Sequence, residues 1–416
     1  MEMLADLLDQ PAGSTDRADD GWAADEWSAI WAASGAAGLS GRPDGPPLDV
    51  PLAMVRVAVA AAERIAAVSS RCGRRVDLDA PALLGERAAL MGLTRRGDVS
   101  CGGATQLLPA ADGWIAVSLA RESDVASVEA WLGVSNADVA AGVAARSVAD
   151  LIERGALLGM PVAAVGERAP GLLADGVQLG ECPPLASIDG LVVVDLSALW
   201  AGPLCASVFG LAGARVIKVE SNQRPDGARM GSQPFFDLLH GGHESVSLDF
   251  ADPGDVELLC RLIERADVVI ESSRPRALRQ LGIVAESASG SRVWVSITGH
   301  GRDAANEMRV GFGDDAAVAG GLVTFDAGGP CFCGDAVADP LSGLVAAAAV
   351  LTALERGSRW LIDIGLARTA AIAATGPLTN ISGLAVAAPR ARRVTSPAAP
   401  LGRHTEAIVA ELAQLG

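Results

Sequence analysis

The sequence predicts an α/β protein built on a doubly wound, mostly parallel sheet, preceded by a smaller α+β unit. Three observations carry that expectation. Leu191-Val192-Val193-Val194-Asp195-Leu196 and Arg215-Val216-Ile217-Lys218-Val219-Glu220 are near-continuous apolar runs, the pattern of parallel strands buried on both faces. Segments of helical length alternate with such strands over the second half of the chain. The turn after the first run, Ser197 to Pro203, opens a helix where doubly wound folds receive a nucleotide.

In chain order, residues 1–45 form an acidic segment rich in Gly, Ser, Asp and Pro around Trp22, Trp27 and Trp31. It contains a short helix over 25–37 and a linker at 41–47. Residues 46–185 read as helices over 52–69 and 80–92, a strand-like 75–78, a strand over 113–119, and a helix over 146–158 ended by Gly159. A connector runs from 166 to 189. Residues 186–416 carry strands at 191–196, 215–220, 268–270 and 293–297, with helices at 203–211 and 254–265. Proline in its first turn favours the start of the 203–211 helix.

The 416 residues carry 50 acidic and 33 basic side chains, a net charge of −17 that argues against nucleic acid as the partner. Aromatics at 4% and the absence of tyrosine remove a base-stacking surface. Cys331 and Cys333 have no partner pair at metal spacing, so no metal site is expected. The chain opens Met1-Glu2-Met3, acidic where a signal peptide would be basic. The uncharged stretch 369–389 is interrupted by Gly376, Pro377, Asn380 and Gly383, so a soluble, cytoplasmic protein is expected. Lys218 is the single lysine among the cations.

An internal repeat runs through the chain. Gly73-Arg74-Arg75-Val76-Asp77-Leu78-Asp79 recurs as Gly357-Ser358-Arg359-Trp360-Leu361-Ile362-Asp363. Asp49-Val50-Pro51-Leu52 before one alanine-rich helix is matched by Asp339-Pro340-Leu341 before another. The pattern reads as remnants of two related modules.

Groups able to carry chemistry are few. The 197–203 turn holds only Gly202 of a dinucleotide fingerprint, so NAD is poorly supported, while free N–H groups at the helix start suit a phosphate. Glu220 ends the second strand where a ribose-binding acid is expected. His240, His243 and His300 show no metal spacing and read as solvated loop histidines. No G-x-S-x-G elbow is present. Asp339 has two readings: a helix cap worth about 1 kcal/mol, or a carboxylate nucleophile forming acyl intermediates.

The stretch Val194-Asp195-Leu196, Ala201-Gly202-Pro203 and Leu211 to Glu220 resembles the class III CoA-transferases, the CaiB/BaiF family of formyl-CoA transferase and α-methylacyl-CoA racemase. The likeness continues through Ser245–Asp249, Ala266–Pro275, Val295–Gly299 and Ala338–Gly343. Residues 50–185 resemble the later part of the same family, with Gly102-Gly103 as its glycine loop and 111–117 as the first strand of its smaller domain. The resemblance implies a Rossmann-like CoA-binding domain plus a small α+β domain in circularly permuted order.

It also implies Asp339 as the nucleophile, acyl-CoA and an acceptor carboxylic acid as substrates, no tightly bound cofactor, and a homodimer. CoA would lie along Trp200, Ala201, Ser221, His240, His243, Ser272, Ser273, Arg274, Arg309 and Phe312, under a mobile loop at Gly102 and Gly103. Where formyl-CoA transferase has basic side chains for the CoA phosphates, this chain has Ser221, Gln280 and Val310, leaving Arg224, Arg274, Arg279 and Arg309 as substitutes. A racemase would need a histidine near 311–314, where the chain has Gly311-Phe312-Gly313-Asp314. An acyl-CoA racemase and a non-catalytic CoA-binding homologue are the alternative readings, and Asp49 reads as structural.

Overall fold

A computed structural model describes residues 23–135, 138–288 and 290–415; Trp22 and the front of the acidic segment lie outside them. The early helices follow the sequence pattern, at Ala24–Ser34 and Leu52–Cys72. The segment 75–78 is extended but pairs with no strand, because Arg75 folds onto Asp77 and Val76 N–H donates to Ser69 Oγ. The expected 80–92 helix breaks at Gly85 into Ala80–Leu83 and Glu86–Met91. A side chain at 85 would press within 3.3 Å of the Ala36 backbone.

A small antiparallel sheet joins β1 (Thr105–Pro109), β2 (Trp114–Ser118) and β3 (Val162–Ala164) in that order. Helices Glu122–Leu132 and Val148–Leu158 close it over a core of Ile115, Val128, Trp131 and Leu151. The 166–189 segment, read as a connector, contributes β4 (Asp175–Gly180). There follow β5 (Val192–Leu196), β6 (Arg215–Ser221), β7 (Glu244–Leu248), β8 (Val268–Glu271) and β9 (Val293–Thr298). A hairpin of β10 (Val323–Asp326) and β11 (Gly329–Phe332) precedes β12 (Arg359–Gly365).

The large sheet has the order β4-β12-β9-β8-β5-β6-β7, parallel except for β4. Successive strand residues face opposite cores, as a doubly covered sheet requires. Val193, Val216 and Val295 pack with helices Leu52–Cys72, Ala201–Ala212 and Ala338–Arg356; Val194, Ile217 and Trp294 pack with Pro253–Arg265 and Thr405–Leu415. Each fully buried Val, Leu or Ile stabilises such a core by roughly 1.5–3 kcal/mol.

The Ala338–Arg356 helix runs through the middle, uncharged from Pro340 to Leu354 and buried over that whole length. Its small side chains allow close approach: a Cβ at Gly343 would meet Ala201 O at 2.6 Å. Its repeat counterpart, Leu52–Cys72, packs directly on it. Asp49 accepts from Ile381 N at 2.8 Å and Thr379 Oγ1 at 3.2 Å, which ties the start of that helix to the C-terminal segment.

From β5 the chain runs outward to β6 and β7, then returns to β8, β9 and β12 on the other side. The strand order therefore reverses between β5 and β8, and the carboxyl ends of those two strands are where doubly wound sheets form their binding crevice.

Candidate functional site

The crevice floor is the turn after β5. Free N–H groups were expected at the helix start; three N–H groups of the turn leading to it are already satisfied. Ser197 N donates to Asp195 Oδ1 at 2.9 Å, Ala198 N to Ser272 Oγ at 3.1 Å, and Leu199 N to Asp226 Oδ1 at 3.0 Å. Leu199 sits at φ +70 with its side chain exposed, a backbone conformation that costs on the order of 1–3 kcal/mol outside glycine. The Asp226 bond holds it there.

Beneath the turn, Lys218 is fully buried and donates to Ser197 O at 2.8 Å, with Asp226 at 3.0 Å and Asp195 at 3.7 Å. Burial opposes its charge, yet Asp195, Asp226 and Glu220 outweigh that and hold its pKa above the ordinary value. Glu220, expected to meet a ribose, is instead buried against Arg229, with a bond from Asp226 N at 3.0 Å.

His240 and His243 correct the solvated-loop reading, since both are buried beside this network. Burial first, and Lys218 second, keep His243 neutral with a pKa of about 3. His240 packs on the Phe236 ring at 4.3 Å and on His243 at 5.8 Å between centroids, and Ala398 bridges to Gly241 between the two histidines. His300 is buried as well, its pKa lowered to about 3 by burial and then by Arg309.

The second part of the site is a cluster of carboxyl groups at the start of the Ala338–Arg356 helix. Val337 occupies the cap position and Asp339 lies inside the first turn, so Asp339 is not the helix cap. It stays half-buried rather than sealed. Burial pushes its carboxyl up to about 7; Arg87 opposes this, Asp314 and Asp335 add to it, and the Gly313 N–H favours the carboxylate. A side chain at Gly313 would collide with Asp339 Oδ2.

Asp314 is raised to about 6, by burial first and then by Asp335. Asp315, fully buried in the helix Gly313–Ala319, is held well above the carboxylate range mainly by burial. Against these acids stands Arg87, whose Nε donates to Asp335 Oδ2 at 2.8 Å. The motif reading missed Arg87, because it lies in the other half of the chain and only the fold brings it to Asp339.

The glycine loop does reach this cluster. Gly103 N closes a turn on Ser100 O at 2.8 Å with φ +82, and a Cβ at Gly102 would lie 3.5 Å from Arg87 Nη2. Arg87 also lies 5.4 Å over the Trp200 ring, which joins the cluster to the crevice.

The profile of CoA-transferase family III matches residues 188–400, just over half of the chain. The chain belongs to that family. Succinyl-CoA–D-citramalate CoA-transferase of Chloroflexus aurantiacus is 28% identical over 44% of this chain and 50% of its own length. Succinyl-CoA:glutarate CoA-transferase of Mus musculus is 29% identical over 48% of this chain and 50% of its own. The chain thus spans about half the length of these curated relatives. A CaiB/BaiF family protein from Brucella suis is 30% identical, covering 44% of this chain and 54% of its own, with a TM-score of 0.41.

In this family III chain the expected CoA contacts divide into groups. Ser272, Ser273 and Arg274 follow directly on β8, and Ser221 is the last residue of β6. Trp200 and Ala201 are buried floor, and His240 and His243 lie beneath it. Phe312 stacks under Arg121 at 5.5 Å. Arg309 is bound to Glu167 and Arg279 to Glu307, so neither is a free substitute for the missing cations. Arg224 and Arg274 form no ion pair among the described residues. Arg274 lies near Arg276, Arg121 and Arg224, and burial followed by these three cations lowers its pKa. Arg121 Nη2 donates to Gly159 O at 3.0 Å, and a Cβ at Gly159 would lie 3.7 Å from Arg274 Nη1. The small-sheet half and the crevice therefore meet at this cluster.

Proposed function

We propose that this protein moves CoA from an acyl-CoA thioester to an acceptor carboxylate through covalent intermediates on Asp339. The observation that carries the reading is a half-buried carboxyl, raised to about 7, beside the crevice where the strand order reverses. Family membership supports CoA transfer in general terms.

The steps balance without an external proton donor. The Asp339 carboxylate attacks the thioester carbonyl, the C–S bond breaks, and a mixed anhydride and CoA thiolate result. The thiolate then attacks the aspartyl carbonyl and releases the first acid as its carboxylate. The acceptor carboxylate attacks the aspartyl thioester, and the freed thiolate takes the new acyl group, restoring Asp339. Thioester energy is kept only if water is excluded from the anhydride, and the Gly102–Gly103 loop is the proposed cover. Raising the Asp339 pKa strengthens it as a nucleophile and reserves the reactive form for near-neutral pH and above.

In this proposal Arg224 and Arg274, with Arg276, take the CoA phosphates. Residues 186–416 form the Rossmann-like half and 46–185 the smaller one, in circularly permuted order, and the active protein is a homodimer. Racemization is disfavoured, since 311–314 holds no histidine and His300 is buried. The test is isotope exchange. An acyl-CoA incubated with its own labelled free acid gains label in the thioester, and Asp339→Asn abolishes this; equal exchange by the variant refutes the reading.

A further inference from the structure

One cation beside Asp339 has no part in the transfer steps themselves. Arg87 is carried by the Glu86–Met91 helix, which the neighbouring Glu86 anchors: its carboxylate is buried and accepts from Arg392 Nε at 2.6 Å and Nη2 at 2.9 Å. The Arg87 fork is therefore presented from a fixed base. Nε and Nη2 close on the fully buried Asp335, while a quarter of the side chain (24%) stays exposed. Among the described residues nothing accepts from Nη1. Trp200 lies against the guanidinium face, and Gly102 leaves the space beside Nη2 open.

An acceptor acid faces an electrostatic problem here. Its carboxylate must reach the carbonyl carbon on Asp339 with Asp314 and Asp335 around it, in a chain of net charge −17. Like charges in a poorly solvated site repel strongly. Arg87 is the cation that acts on both Asp339 and Asp314. A guanidinium binds carboxylates through a planar fork, and one edge of this fork remains unused.

We propose that Arg87 is the acceptor-binding residue. Asp335 holds the inner edge of its guanidinium, and the outer edge takes the carboxylate of the incoming acid and aims one oxygen at the aspartyl thioester. This rests on the transferase reading above. In the step concerned, the acceptor oxygen bonds to the aspartyl carbonyl carbon, the C–S bond breaks and CoA leaves as thiolate. Arg87 neither gives nor takes a proton; it offsets repulsion and orients the attack. The first half of the chain, outside the 188–400 family match, would then choose the acid.

The test separates the two half-reactions of the full chain. Donor loading is followed by trapping Asp339 with hydroxylamine across an acyl-CoA series. Acceptor discharge is followed by titrating acetate, oxalate, succinate and lactate. Arg87→Gln and Arg87→Lys are compared with Arg87→Gln/Asp335→Asn, which keeps the polar contact and leaves no buried unpaired charge. The acceptor KM is expected to rise about 10- to 100-fold in all three, with the donor KM within about threefold and lysine the least affected. Acceptor and donor constants moving together, or an unmoved acceptor KM in the folded double variant, would overturn the assignment. A wild-type protein that takes no label from any donor removes the transferase reading and this inference with it. A labelled wild type with an unmoved acceptor KM removes this inference alone.

Discussion

Arg87 and Asp335 form a buried, two-bonded ion pair that joins the two halves of the chain four residues before Asp339. The pair acts on Asp339 in opposite directions, Arg87 favouring its carboxylate and Asp335 its protonated form.

Activity should therefore rise with pH through about 7, as Asp339 loses its proton. Arg87→Gln should move that limb to higher pH and Asp335→Asn to lower pH, each by about half a unit to one unit. Rate–pH profiles at saturating donor check this. Shifts in the same direction for both variants would contradict it.

The raised pKa also costs stability. Folded Asp339 binds its proton up to about 7, whereas the unfolded carboxyl releases it near 3.8. Between those values the folded state holds the extra proton, so this group's contribution falls as pH rises through the window and is fully lost above it. Asp339→Asn should accordingly be more stable than wild type at pH 8, by about 1–3 kcal/mol. The gap should close below about pH 4. Urea unfolding at both pH values measures it.

Lys218→Met should be severe. It strands Asp195 and Asp226 in the core, and removing one partner of a buried pair costs about 3–5 kcal/mol. The Asp226 bond to Leu199 N should loosen too, so CoA affinity and melting temperature should fall together. A stable variant with unchanged affinity would show that the network does not shape the turn.

Arg224→Ala and Arg274→Ala should each weaken CoA binding about 10-fold, and less so for dephospho-CoA or at high salt. Arg279→Ala should stay within about twofold, because its charge is spent on Glu307. Calorimetric titration with both ligands separates these cases.

Local pattern carried the large sheet. Val192–Leu196, Arg215–Ser221 and Val293–Thr298 stand where their apolar runs placed them, because strands buried on both faces need no distant partner to be recognised. β4 escaped notice because it is a half-polar edge strand whose pairing with β12 is remote in sequence. The histidines misled because their glycine-rich surroundings read as solvated loops, whereas the fold buries His240, His243 and His300. Asp339 was legible as a residue, from its motif. Its neighbours Arg87 and Asp335 were not, because their pairing joins positions 248 residues apart.

The most direct measurement is to incubate the purified protein with a series of acyl-CoAs, quench with hydroxylamine, and map the modified peptide by mass spectrometry, with Asp339→Ala alongside. The account predicts a hydroxamate on Asp339 that the variant lacks. Acyl-CoA turnover without a hydroxamate on Asp339, or with one on another carboxylate that persists in the variant, would contradict it.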